Sequence, residues 1–500
     1  MKRFLEEAKK LIRINSETSH GNEEVANYVS TLMRESGLRV QIQQVTHSLE
    51  DISKRQFNVI GILGDHLVDK KIRKGLLLNT HLDTVGPGLL EYWTETGGDP
   101  FSATIKDKRI YGLGAADVKL DFLCKLYAAK KFRDRPLKMP IYIVGTCGEE
   151  LGMFGARYLI KSLALNPKYV MVGEPSELRV VYAHKCLNIY RVTISYQQVE
   201  RDPRGFNRRI DFHTYGKSAH SSYPHLGIDA IGSSLEFLKR ASSQGFEFRF
   251  TKFDGGDTVN RVPDRSCVEL FLTSHQFEDF KRFFRQAADV DGVSEAIPKA
   301  AASHKLEIGS AGDAGVRFLP DAIFPCILDI HAFFKSMATD FEKVKDPSYN
   351  PAYSTLNLGK LRQYAGNVTL HLDLRLLPEV NPDEVEKHIQ KGMQAIAANY
   401  PSLNVTAVRE RVNSGLNMTL EHDLVKICCD AMSAAGLEPR LDKKATSTEA
   451  AQYFQAGYEA VVFGPGVSHG NSHSPNENNL LDHLEKAILF YEKLIEKVCT

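Results

Sequence analysis

Five hundred residues exceed what one hydrophobic core usually organises, which predicts two domains or one large domain carrying an insertion. Lysine plus arginine (63) balances aspartate plus glutamate (62), so the basic excess of a protein that grips phosphate backbones is missing and nucleic acid is excluded as a partner. With 43% apolar and 25% charged residues the composition is that of a soluble, compactly folded chain.

The N-terminal stretch MKRFLEEAKKLIRINS predicts an amphipathic helix with charges throughout, whereas a signal peptide needs an unbroken apolar centre. No segment approaches the roughly 18 uninterrupted apolar residues of a membrane span, so no membrane association is expected. A strand is predicted in KGLLLNT, a helix in VKLDFLCKLYAAKKF, and strands in MPIYIVGT and KYVMVGE. These short apolar runs lack alternation, as strands covered on both faces do, and the rhythm predicts an α/β sheet that is largely parallel. From about Leu187 the texture changes to alternating segments (NIYRVTISY, RIDFHTYG, SCVELFLTS, NVTLHLDLRLLP) around a helix at IDAIGSSLEFLKRAS, which predicts an α+β module. The basic stretch RDPRGFNRR, Arg201 to Arg209, reads as a solvated hairpin tip. Between about His275 and Tyr353 lies a helical or irregular region (FEDFKRFFRQ, AIPKAAASHKL) to which no role is assigned. After about Gly415 the first texture returns, with helices in HDLVKICCDAMSAAG and LLDHLEKAILFYEKLIEKV and a strand in EAVVFGPG. The expected plan is a first domain built from residues 1–186 and 414–500, with residues 187–413 inserted and an extra region at about 275–353.

Eight cysteines (Cys124, Cys147, Cys186, Cys267, Cys326, Cys428, Cys429 and Cys499) are scattered and form no CxxC pair. A disulfide framework or thiolate zinc site is therefore not expected, and the cytoplasm is the expected compartment.

The chemistry-bearing residues cluster after predicted strand ends of the first domain, where open α/β sheets place ligands. In NTHLDTVGPG, His81 and Asp83 lie on one side of an extended chain, so the carboxylate can fix the imidazole; a structural histidine with a capping aspartate explains the pair equally well. Asp117 in YGLGAADVKLDF stands at a helix entrance, where an N-cap aspartate is the simpler explanation. Glu149 and Glu150 in VGTCGEELG are adjacent carboxylates, which repel unless a cation lies beside them. Glu174 closes a strand in MVGEPS, and FGPGVSHGNSHSPNE contributes His469, His473 and Glu477. Nitrogen and oxygen ligands without thiolates suit zinc, cobalt or manganese in a site with an open position for water.

The ordered set HLD, GAADVK, GEE, GEP and HSPNE resembles the dinuclear zinc amidohydrolases that include acetylornithine deacetylase, succinyl-diaminopimelate desuccinylase, aminoacylase and related di- and carboxypeptidases. The resemblance implies a zinc-peptidase-like catalytic domain with an inserted α+β lid and dimerisation domain, and a homodimer. It implies two divalent ions held by His81, Asp117 and Glu174 and by Glu150 and His473, with Asp117 bridging. Asp83 would orient His81. Glu149 would be the general base that takes a proton from the bridging water and passes it to the leaving nitrogen. In YGKSAHSSYPHLGIDAI, His220 matches the histidine that donates to the tetrahedral oxyanion, commonly in the partner subunit's site. For substrate contact the resemblance offers Asn260 in GGDTVNRVPD and Arg375 in HLDLR, the latter as a clamp on a carboxylate. Departures from the family pattern are Leu120 and Asp121 after Lys119, Cys186 after Lys185, and TSTEAA from Thr446 to Ala451, where an aspartate is usual. They bear on the substrate and leave the ligand set intact.

The expected function is a metal-dependent hydrolase that releases an amino acid from an N-acyl amide. A di- or carboxypeptidase is the alternative within the same chemistry, so the expected partner is an N-acyl amino acid or short peptide. A non-catalytic binding member of the family would have lost Glu149 or a ligand, and a mononuclear enzyme of unrelated fold would hold a single ion.

Overall fold

A computed structural model describes residues 1–46, 55–68, 71–162, 165–197, 204–290, 302–309 and 316–500. The chain forms two compact units, Met1–His184 with Asn413–Thr500, and Lys185–Val412.

The first unit is built on a 9-stranded sheet. Its order runs Arg39–Val45, Gln56–Leu63, Ile141–Thr146, Gly75–His81, Pro167–Gly173, Glu459–Val462, Val180–His184 and Leu416–Asn417, with Leu441–Lys444 also pairing with Val180–His184. Ile141–Thr146, Gly75–His81, Pro167–Gly173 and Glu459–Val462 are mutually parallel, while the pairings at the margins are mostly antiparallel. The largely parallel sheet expected from the sequence is thus a mixed sheet with a parallel centre. The reason is connectivity. Parallel neighbours need long crossovers, supplied by the helices Lys119–Lys130 and Phe154–Lys161, whereas Arg39–Val45 and Gln56–Leu63 are consecutive strands that pair directly.

Every residue of Gly75–His81 and of Ile141–Thr146 is buried, which explains their unbroken apolar character. The helices Lys2–Arg13 and Leu481–Cys499 both pack on Lys119–Lys130, and Glu23–Glu35 packs on Gln56–Leu63. Because the central strands are parallel, the segments that follow His81, Thr146, Gly173 and Val462 all leave the same sheet edge. The polar motifs occupy that edge.

The second unit holds an 8-stranded sheet in the order Ser303–Ile308, Phe206–Tyr215, Arg265–Thr273, Arg249–Gly255, Thr355–Tyr364, Asn367–Leu376, Cys186–Ser195 and Asn404–Asn413. Asn367–Leu376 alternates: Leu370, Leu372, Leu374 and Leu376 enter the core shared with the helices, and Thr369, His371, Asp373 and Arg375 point to the other face. The region without an assigned role adds the helices Ser274–Val290 and Ile323–Phe341 and the edge strand Ser303–Ile308, which pairs with Phe206–Tyr215. These elements enlarge this unit. Residues 201–203 of the basic stretch and 296–301 of AIPKAAASHKL lie outside the described residues; the remainder of the basic stretch runs into the strand Phe206–Tyr215. No helix among the described residues is long and apolar enough to cross a membrane.

Candidate metal centre

Backbone geometry first brings the carboxylates out of the sheet. Gly148 adopts φ +68°, and a Cβ there would lie 2.0 Å from the Phe154 ring, so only glycine permits the turn that delivers Glu149 and Glu150. Both are anchored by Asp83. Its Oδ1 accepts from the Glu149 N–H at 3.2 Å, and its Oδ2 accepts from the Glu150 N–H at 3.3 Å and the Thr18 hydroxyl at 2.7 Å.

His81 is oriented by Asp83 mainly through the main chain. His81 Nδ1 lies 3.0 Å from the Asp83 carbonyl oxygen, against 3.7 Å from its carboxylate. Donation from Nδ1 to that carbonyl leaves the Nε2 lone pair available as a ligand. His81 Nε2 lies 3.2 Å from Asp117 Oδ1, and His473 Nε2 lies 3.4 Å from Asp117 Oδ2 and 3.1 Å from Glu150 Oε1.

Asp117 is not a helix cap. The helix begins at Lys119, Val118 holds the cap position, and no side chain caps it. The Asp117 carboxylate instead stands between two imidazoles. Its backbone N–H and that of Ala116 donate to Glu477 Oε1 at 2.9 and 2.8 Å, so Glu477 ties the Asp117 loop to the segment that carries His473.

Ligand atoms within 4.8 Å of one another form the groups His81, Asp117 and Glu174; Asp117, Glu150 and His473; and His81, Glu149 and Glu150. Asp117 belongs to the first two. Carboxylates outnumber the cationic groups that act on them here, Lys444 being one that acts on Glu174, and the electrostatics show it. Burial, and then Asp117, pushes the Glu174 carboxyl up to about 8. Glu149 is raised well above the ordinary range by burial and then by Glu174 and Glu150. Glu150 pushes His473 up to about 12. Glu174 Oε1 is buried and has no hydrogen-bond partner among the described residues. Beside His81 and Asp117 in one ligand group, a carboxylate oxygen in that condition is open to a cation. The donor set fits divalent ions of the zinc class: imidazole nitrogen and carboxylate oxygen without thiolate.

Residues 77–497 match the family model described as peptidase family M20/M25/M40. The chain belongs to that family. Acetylornithine deacetylases from Proteus mirabilis and Yersinia pseudotuberculosis are 29% and 31% identical to it over 276 residues, 52% of this chain. The aligned part spans 61% and 62% of those relatives' own length. An aminoacylhistidine dipeptidase from Vibrio alginolyticus shares the fold with a TM-score of 0.67 at 17% identity, over 99% of this chain and 96% of its own. An M20 family metallo-carboxypeptidase from Sulfolobus solfataricus does so with a TM-score of 0.59 at 19% identity, over 99% of both chains.

His220, Asn260 and Arg375 belong to the second unit. His220 Nδ1 accepts from the Ser222 backbone N–H at 3.1 Å, which places a neutral ring's proton on Nε2. The neighbouring Ser221 N–H donates to the Asn260 carbonyl at 3.0 Å, and the Ser221 hydroxyl donates to Asp373 at 2.6 Å. Asp373 in turn receives a two-pronged bond from Arg375, at 2.7 and 2.9 Å. The two segments that lie far apart in sequence therefore meet through Ser221 and Asp373. Arg375 is buried with its guanidinium forked onto Asp373, so it is already paired within its own strand. His469 is exposed and belongs to none of the ligand groups.

Sequence reasoning missed Thr18, Ser222 and Asp373 and gave no role to Glu477. Only Glu477 carried a signal, its place in HSPNE. Cys147, beside the chemistry in sequence, is buried with a thiol that burial pushes well up, as expected of an inert packing residue.

Proposed function

We propose that this chain is a dinuclear metallohydrolase that cleaves an amide bond of an N-acyl amino acid. Membership of peptidase family M20/M25/M40 supports the class, amide-bond hydrolysis by a metalloenzyme. The observation that carries the dinuclear reading is the sharing of Asp117 between two ligand groups, His81 with Glu174 on one side and Glu150 with His473 on the other.

Bound there, two divalent ions, zinc in first place, would supply Lewis acidity and lower the pKa of an attacking water. Glu149 has the position of a general base, beside His81 and Glu150 in a ligand group. It sits among the ligand groups without being needed in either of the two that share Asp117, so its carboxylate is left to take a proton from water and return it to the leaving nitrogen. Asp83 holds the Glu149 and Glu150 backbone, and Glu477 holds that of Asp117. In the second unit, which we assign as a lid and dimerisation domain, His220 carries its proton on Nε2 and so can donate to the oxyanion of a tetrahedral intermediate. Asn260 and Arg375 are assigned to the substrate, Arg375 through the N–H groups that Asp373 does not occupy.

The deacylase reading follows the acetylornithine deacetylases; a di- or carboxypeptidase is the second reading, favoured by the fold shared with such enzymes. The free cysteines suit the cytoplasm. A hydrolysis screen of the zinc-loaded protein against N-acetyl and N-succinyl amino acids and dipeptides separates the readings. Release from N-acyl substrates supports the first and release from dipeptides alone the second. A single ion per chain at full activity would refute the dinuclear site.

A further inference from the structure

Glu449 stands immediately before the helix Ala450–Gln455 and is fully buried. It belongs to none of the ligand groups. Its Oε2 nevertheless accepts from Asn79 Nδ2 at 2.6 Å and from Thr146 Oγ1 at 2.8 Å. Asn79 lies two residues before His81 in the strand Gly75–His81, and Thr146 ends the strand that leads to Glu149 and Glu150. In the parallel pairing of these strands His81 is opposite Thr146 and Asn79 is opposite Val144. The Tyr453 hydroxyl, one helical turn after Glu449, donates to Asn79 Oδ1 at 3.1 Å. One carboxylate oxygen thus spans two strands just below the points where the ligands emerge, and the short helix behind it grips Asn79 a second time.

Packing alone does not account for an acid here. Glu449 forms no ion pair among the described residues, and its Oε1 is buried without a hydrogen-bond partner there. Burying a carboxylate in that state is costly, and an apolar residue would fill the space without the penalty. What an apolar residue would lose is the double acceptor joining the strands. The bond between strand neighbours already sets their spacing; the clamp adds resistance to fraying at the carboxyl ends, where the ladder stops and the ligand-bearing loops begin.

We infer that Glu449 is a positioning residue of the metal centre, clamping the ends of Gly75–His81 and Ile141–Thr146 so that His81 is held at a fixed separation from Glu149 and Glu150. This rests on the dinuclear reading above. The clamp acts through hydrogen-bond acceptance, and a glutamine carbonyl accepts the same two bonds, so charge is not required.

The test is zinc calorimetry on the full chain, together with the visible absorption spectrum of the cobalt-loaded protein, for Glu449→Ala, Glu449→Gln and Thr146→Val. Supporting partners of metal ligands are worth roughly 10- to 100-fold in metal affinity. Because Glu449 reaches the ligands through Asn79 and Thr146 rather than touching them, Glu449→Ala is expected to fall by about 10-fold, the lower end of that range, with an altered cobalt spectrum, Thr146→Val to fall by less, and Glu449→Gln, which keeps the double acceptor, to fall by less than the alanine variant. Should Glu449→Ala not fold, Thr146→Val and Glu449→Gln carry the comparison. Wild-type affinity and spectrum in a folded Glu449→Ala or in Thr146→Val would overturn the clamp, as would a Glu449→Gln protein as impaired as the alanine variant. A wild-type chain that binds no pair of ions would instead overturn the dinuclear reading itself.

Discussion

Asp83→Asn tests whether the aspartate of the HLD motif works through His81 or through the two glutamates. The carboxylate accepts three bonds, from Thr18 Oγ1 and from the N–H groups of Glu149 and Glu150, the latter two on opposite oxygens. An asparagine side chain has one oxygen and one NH2. Thr18 can rotate its hydroxyl to accept from the new amide, but whichever way that amide turns, one of the two backbone N–H groups faces another donor. A buried donor left unpaired costs about 1–3 kcal/mol, which is roughly 5- to 150-fold in an equilibrium at 1.4 kcal/mol per factor of ten. His81 is largely spared because its Nδ1 is held by the Asp83 carbonyl, which the substitution leaves in place. Guanidinium unfolding of the chelator-treated protein should show the loss as a lower midpoint at unchanged slope. Turnover of the reloaded enzyme should fall because Glu149 is displaced, while the ion assigned to His81 and Glu174 stays bound. Wild-type unfolding together with wild-type turnover would refute the reasoning. Selective loss of the ion at His81 and Glu174 would show instead that Asp83 acts on the imidazole.

Glu149→Gln should retain two ions by metal analysis and lose about 10²- to 10⁴-fold in kcat, the usual worth of a general base; full turnover would remove Glu149 from that role. Asp117→Ala should lose both ions after gel filtration and His473→Ala only one, because Asp117 belongs to both ligand groups and His473 to one; equal metal content in the two variants would argue against a bridge. Asp229, which caps the helix Ala230–Ser243 by accepting from the Ile231 N–H, is pushed up to about 6 by burial. The folded state therefore holds a proton that the unfolded state releases at lower pH, so the stability this protonation supplies is present in acid and is lost as pH rises through about 6. Asparagine caps equally well and cannot ionise. Asp229→Asn should thus raise Tm relative to wild type at pH 7 (about one unit above that value) and not in acid; an unchanged Tm difference across the two conditions would count against it.

The parallel centre of the first sheet was legible because strands covered on both faces must be apolar throughout, and GLLLNTH and IYIVGT are fully buried in the way their letters suggest. The strand Gln56–Leu63 was passed over for a related reason. It carries Gln56 and Asn58, which look like loop residues until their partners are seen: Gln56 donates to the Thr18 carbonyl and Asn58 to the Gly155 carbonyl. The helix Ile323–Phe341 lies in the region read only as helical or irregular; its Pro325 sits in the first turn, where proline removes an N–H that has no helical partner. Buried polar residues and first-turn prolines become regular structure only through tertiary context.

The same distinction separates the two layers of the candidate site. Residue type and position after strand ends drew attention to His81, Asp83, Asp117, Glu149, Glu150, Glu174, His469, His473 and Glu477, each open to a structural explanation on its own, and the family resemblance of the ordered motifs assigned the roles and chose His473 over His469. The ligands' supports are confined to no such types or places. Any hydroxyl, amide or carboxylate can accept or donate a positioning bond, and the partners are joined across the fold: Thr18 to Asp83, Asn79 to Glu449 over 370 positions, Ala116 and Asp117 to Glu477, Ser221 to Asp373. A change such as TSTEAA therefore looks in sequence like a departure at the substrate pocket, while in the fold its glutamate reaches the strands beneath the ligands. These bonds join residues that no motif groups together, which is why the supporting layer became visible only in the fold.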